Sequence, residues 1–136
     1  MSIGGKIMEW NFKIDLSDIQ VFDKIEKKRG IIIPENLKKL IVEGNAATPE
    51  KYKFMVGTSE HVFGAVLSFN EDEEYDTVFT ALDTVDNKEL LPFGIDPFGN
   101  YICLNLNTNE VVFWDHEVGA TATTGKTLDK FIEELY

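Results

Sequence analysis

The most strongly patterned stretch of apolar and polar positions runs from Leu90 to Glu117. Leu91, Pro92 and Phe93 form a short apolar entry. Gly94, Asp96, Pro97 and Gly99 then predict a rigid turn, because glycine permits positive φ and proline fixes φ and removes a donor. Tyr101 to Leu106 reads as a strand, Asn107-Thr108-Asn109 as a turn, and Val111 to Trp114 as the returning strand. The pattern predicts a β-hairpin preceded by an Asp-Pro-Phe-Gly turn.

Upstream the period changes. Ile7, Met8, Trp10, Phe12 and Ile14 alternate in part with polar residues, which suits an edge strand or a packed arm. Ser17-Asp18-Ile19-Gln20 fits a capping box that would open a helix. Ile19, Phe22 and Ile25 would line its buried face. Lys27, Lys28 and Arg29 suit the dipole of its last turn, and Gly30 is a natural stop. Ile31 to Ile33 are expected to cross the interior. Pro34 is placed in the first turn of a second helix, with Leu37, Leu40 and Ile41 as its stripe and Gly44 at its end.

Asn45 to Glu50 reads as a loop. Tyr52 to Val56 and His61 to Phe69 read as strands joined at Gly57-Thr58-Ser59. The second run is almost continuously apolar, as in a strand covered on both faces. Asn70 is expected to cap a third helix, with carboxylates in its first turn and Tyr75, Val78, Phe79 and Leu82 on its face. Val85 to Glu89 connects to the hairpin. Gly119 to Gly125 reads as loop or weak strand. Thr127 is expected to cap a last helix that buries Leu128, Phe131, Ile132 and Leu135. The order lacks β-α-β alternation. The expected fold is therefore α+β: one domain over residues 1–136, with a twisted, mostly antiparallel or mixed sheet flanked by helices.

A chain of 136 residues suits one core, and a single Cys forms no internal disulfide. No stretch approaches the roughly 20 apolar residues of a membrane span. The N-terminus lacks the layout of a secretory signal. The expectation is a cytoplasmic protein without a membrane partner. Charge sharpens the picture. Residues 1–53 hold ten basic and eight acidic side chains, whereas residues 54–136 hold three and sixteen, within a total of −11. Direct binding of nucleic acid is excluded by sign. Basic proteins are the partners that such a field attracts, although acidity also serves solubility.

Few residues suggest catalysis. Asp115-His116-Glu117 looks chemical, but neighbours on a strand point to opposite faces, and the other His, His61, is remote in sequence. No Ser lies in a GxSxG elbow, and Cys103 sits between Ile102 and Leu104 as a buried thiol would. Gly94 to Gly99 lacks the Lys-Ser/Thr of a phosphate loop, and Gly125-Lys126-Thr127 lacks its first Gly. No enzyme activity, catalytic residue, metal or cofactor is expected. The run Glu71, Asp72, Glu73, Glu74 and Asp76 lacks the spacing of a calcium loop and reads as a solvated helix start or a docking surface. The candidate partner-binding residues are these five with Asp96, Asp115 and Glu117, and with Phe98 and Trp114 as candidate aromatic anchors, either of which the pattern also allows as core. The residues leave open a small ligand near Asp96, Tyr101 and Trp114.

The run from Leu91 to Gly94, Asp96 to Gly99, Tyr101 to Leu106 and Val112 to Glu117 resembles the signature of the SUKH superfamily. That superfamily includes the yeast Smi/Knr cell-wall-assembly regulator and many bacterial immunity proteins. Ile25-Glu26-Lys27-Lys28 before Gly30, Ile33-Pro34-Glu35 and Phe131-Ile132 resemble its other landmarks. One departure is Asn45-Ala46-Ala47, where the family often shows Asn-Gly-Gly. The resemblance implies an α+β fold and a cytosolic, non-catalytic binder that neutralises a cognate protein toxin, often a nuclease with a basic active-site surface. An acidic face covering that site is the implied mechanism. The alternative is a regulatory or scaffold domain like the yeast relative. Neither the toxin nor the oligomeric state is readable from the sequence.

Overall fold

The computed structural model describes residues 9–71 and 76–136. In chain order the first elements are β1 (Trp10–Asn11), α1 (Val21–Arg29), α2 (Glu35–Gly44) and β2 (Thr48–Pro49). Next come β3 (Lys53–Val56), β4 (Ser59–Val62), β5 (Ala65–Val66) and α3 (Val78–Val85). The chain closes with β6 (Leu90–Ile95), β7 (Tyr101–Asn105), β8 (Glu110–Asp115), β9 (Ala120–Thr127) and α4 (Leu128–Glu133). Among the described residues no helix is long and apolar enough to cross a membrane.

The predicted hairpin is the middle of an antiparallel meander in the order β5-β6-β7-β8-β9. Its core strands are buried on both faces, which is why Tyr101 to Leu104 and Val111 to Trp114 run apolar without alternation. Register places Tyr101 opposite Trp114 and Ile102 opposite Phe113. Asn105 shapes the connecting turn, its Oδ1 accepting the N–H groups of Asn107 and Thr108 at 2.9 and 3.2 Å. A register shift between Pro92 and Gly94 bends β6. A Cβ at Gly94 would stand 2.9 Å from the Phe63 ring, so only glycine allows that approach.

One side of the sheet meets the β3–β4 hairpin and α4. Phe131 of α4 lies with its ring centroid 5.0 Å from Phe54, 5.9 Å from Phe63 and 6.4 Å from Phe93. Leu37 and Ile41 of α2 and Phe22 and Ile25 of α1 extend this core. Phe22 packs against Phe69 at 5.9 Å.

Several expectations change in three dimensions. Ser17 does not cap α1; its N–H and hydroxyl both reach Asn70 Oδ1, at 2.9 and 3.1 Å. The helix starts later, so Val21 joins Phe22 and Ile25 inside while Ile19 is exposed. Gly30 ends it with φ +67°, as read. Ile33 is buried but Ile32 faces solvent. Pro34 immediately precedes α2 rather than lying within it. The run His61 to Phe69 is not one strand: it leaves the β3–β4 hairpin at Val62 and joins the main sheet at Ala65. Asn70 instead holds Ser17, and Tyr75 lies outside the described residues. Thr77 caps α3, its Oγ1 accepting the Thr80 N–H at 3.3 Å, and no carboxylate stands in that first turn. The segment from Gly119 to Gly125 forms most of β9, a full edge strand. Thr127 precedes α4 without a side-chain capping bond. Thr48 and Pro49 pair with β1, which accounts for Trp10 of the leader; Phe12 is exposed, and Ile7 and Met8 lie outside the described residues.

Ala46 has φ +60°, in the region that disfavours any Cβ. It occupies the place where the resembling family often shows its first glycine. Ala46→Gly is expected to stabilise the fold by about 1 kcal/mol, because relief of strain exceeds the added unfolded-state entropy. An unchanged or lower urea midpoint would refute this.

Candidate functional site

Two turns meet at one end of the main sheet. The first is Asp96-Pro97-Phe98-Gly99-Asn100. Asp96 Oδ1 accepts the N–H groups of Phe98 and Asn100, both at 2.9 Å, and Oδ2 accepts Asn100 Nδ2 at 2.9 Å. Pro97 presets its own φ, and Gly99 takes φ +86°, which an L side chain resists. The carboxylate thus faces inward and Phe98 is held outward at 74% exposure.

The second turn spans residues 116–119. Asp115 Oδ1 accepts the Glu117 N–H at 2.8 Å, and the Asp115 carbonyl accepts the Gly119 N–H at 2.8 Å. Val118 is 73% exposed. Asn100 joins the turns: while its Nδ2 holds Asp96, its Oδ1 accepts the His116 N–H at 3.0 Å. Phe98 and Val118 are therefore carried on two hydrogen-bonded loops with Glu117 and His116 exposed among them. Such a pair of exposed apolar side chains beside carboxylates suits an interface with an apolar centre and a charged rim.

The structure divides the candidate residues. Phe98, Asp115 and Glu117 reach this sheet end, with Asp115 half-buried and Glu117 exposed. Asp96 is there too, but it is buried and its oxygens serve the turn, so it supports the surface rather than forming it. Trp114 is buried and packs on Tyr101 with ring centroids 5.8 Å apart, which makes it core rather than an exposed anchor. Glu71 and Asp76 are exposed; Asp72, Glu73 and Glu74 lie outside the described residues. Asn100 and Val118 were missed as site residues. The only sequence signal for Asn100 was its place directly after the Asp-Pro-x-Gly turn, and an isolated valine between Glu117 and Gly119 carries none.

The electrostatics favour a binding surface. Arg29 pairs with Asp83, and Lys126 and Lys130 both pair with Glu134. Among the described residues Asp76, Asp115 and Glu117 pair with no Lys or Arg, so their charge is open to a partner. Burial pushes the Tyr101 hydroxyl above its ordinary pKa; a hydrogen bond with Thr84 opposes this and the Asp76 carboxylate adds to it.

Burial pushes the Cys103 thiol far up, which removes the reactive thiolate. His61 is half-buried with its ring centroid 4.2 Å from that of Phe113, whereas His116 is exposed on its turn. Among the described residues no three His, Cys, Asp or Glu side chains are grouped to hold a metal ion. Asp96, Tyr101 and Trp114 are packed rather than open to a small ligand. A groove of about 370 Å³ lies elsewhere, between α1 and α3, lined in part by Lys28, Arg29, Phe79 and Leu82.

No curated protein matches the chain. The family model described as SMI1 / KNR4 family (SUKH-1) matches residues 14–134, which include both turns, the whole meander and the four helices of the described residues. The α+β architecture agrees with that match, and the chain belongs to the SMI1 / KNR4 family (SUKH-1).

Proposed function

We propose that this chain is an immunity protein that binds a cognate protein toxin in the cytoplasm and neutralises it by covering its active site. Members of this family are in general non-catalytic immunity or regulatory proteins that bind partner proteins. The observation that carries the reading is the sheet end, where exposed Phe98 and Val118 stand beside the unpaired carboxylates of Asp115 and Glu117. A basic, substrate-binding surface is the complement of that arrangement, and a nuclease offers one. Exposed Asp76, whose carboxylate acts on Tyr101 at the start of β7, adds to the same field. Asp96 and Trp114 contribute by holding the turn and the strand beneath it.

The test is co-expression with the product of the gene immediately upstream, scoring growth rescue and co-purification. Rescue and a complex that weakens as salt rises are expected. The double variant Asp115→Lys, Glu117→Lys is expected to weaken binding on the order of tenfold or more, and Phe98→Ala by a similar factor. A complex indifferent to salt and to all three substitutions would sink this interface. Absence of both rescue and complex would favour a regulatory adaptor instead.

A further inference from the structure

The edge of the main sheet at β9 is uncharged from Ala120 to Gly125 in a chain of net charge −11. Ala120, Thr121, Ala122 and Thr123 are all exposed. Their backbone orientation follows from β8. The Asp115 carbonyl accepts the Gly119 N–H, and the Val111 carbonyl accepts the Thr124 hydroxyl at 2.7 Å. Val111, Phe113 and Asp115 therefore aim their backbone groups at β9. Register then makes Ala122 and Ala120 the bonded partners of Phe113 and Asp115. Alternation leaves the N–H and C=O of Thr121 and Thr123 facing outward. None of the turn, loop and cap hydrogen bonds among the described residues engages them. Downstream, Gly125 at φ +72° and the register shift opposite Glu110 bend the strand, which confines the open edge to these four residues.

We infer that this edge pairs with the same edge of a second copy, antiparallel about a two-fold axis at Ala122. This goes beyond the toxin-binding reading and does not depend on it. Antiparallel pairing centred on Ala122 sets Thr121 opposite Thr123 of the second copy, and Thr123 opposite Thr121. All four outward-facing residues then find their missing partners, and the threonine side chains form cross-strand pairs. Because Ala120 to Gly125 carry no charge, the two acidic chains meet along this edge without opposing like charges. The contact is isologous and closes, so it yields a dimer rather than a fibre.

Sedimentation velocity of the full chain over a concentration series, with two variants, tests this. The Thr121 N–H faces away from β8, so Thr121→Pro removes an intermolecular bond while sparing the native ladder. Ala122→Cys places two thiols at a non-hydrogen-bonded pair with Cα atoms about 4.5 Å apart, within reach of a disulfide. Expected are a concentration-dependent dimer in the wild type, its loss in Thr121→Pro with an unchanged circular dichroism spectrum, and oxidative crosslinking of Ala122→Cys at least about tenfold faster than of Thr108→Cys. Should Thr121→Pro fail to fold, the crosslinking comparison decides alone. A monomer at every concentration with equal crosslinking rates would overturn the proposal. So would a dimer that survives Thr121→Pro, or a monomeric chain whose edge instead accepts an extended segment of another protein.

Discussion

Phe131→Ala is expected to lower the unfolding free energy by about 3–5 kcal/mol, the range for truncating a fully buried phenylalanine. Phe131 is 1% exposed and lies among Phe54, Phe63 and Phe93. Those rings come from β3, from the crossing after β4, and from β6. Once the Phe131 ring is lost, none of them can fill the space without leaving its own strand or crossing. The cavity therefore persists, and its cost adds to the lost transfer free energy. Phe131→Leu keeps most of the volume and should cost clearly less. Urea unfolding with an unchanged m value measures both. A loss below about 1 kcal/mol for the alanine variant would show that α4 is not an integral part of this core.

Asn45→Leu is expected to cost about 3 kcal/mol for a different reason. Asn45 is fully buried, with Nδ2 donating to the Ile14 carbonyl at 3.0 Å and Oδ1 accepting the Phe69 N–H at 2.8 Å. The side chain staples the leader to the irregular segment that follows β5. Leucine has nearly the same size, so the core stays filled. Both backbone groups then lose their partners, and leaving a buried polar group unpaired costs about 1–3 kcal/mol. The exposed Asn107, whose Nδ2 donates to Glu89, is the control; Asn107→Ala should stay within about 0.5 kcal/mol of wild type. Equal effects at the two positions in thermal unfolding would refute the staple.

Much of the scaffold was legible because its instructions are local. The Asp96 to Gly99 turn is written in residues whose φ is preset or freed and in a carboxylate that reaches two residues on. Leu37, Leu40 and Ile41 recur at helical spacing and are all buried. The candidate surface was legible only in part. Phe98, a candidate aromatic anchor in the sequence, stands exposed on its turn. Trp114 was left as anchor or core, because the β8 pattern is apolar on both faces and cannot say which aromatic is covered; the fold buries it. Ser17 and Asn70 were both read as helix caps, since each fits a cap locally; in the fold they bond one another across 53 residues.

By itself the sequence determined the α+β class, the hairpin that follows the Asp-Pro-x-Gly turn, the helical faces of α2 and α4, and the acidic balance of the later half. These depend on neighbours within a few positions or on composition. Tertiary structure alone decided the strand identity of β9, the burial of Asp96 and Trp114, and the joining of two turns through Asn100. Each of these rests on a partner brought from elsewhere in the chain: β8 beneath β9, Tyr101 beside Trp114, and the His116 N–H above Asn100. An edge strand of Ala and Thr has little local preference of its own, and it becomes a strand because its neighbour supplies the hydrogen bonds.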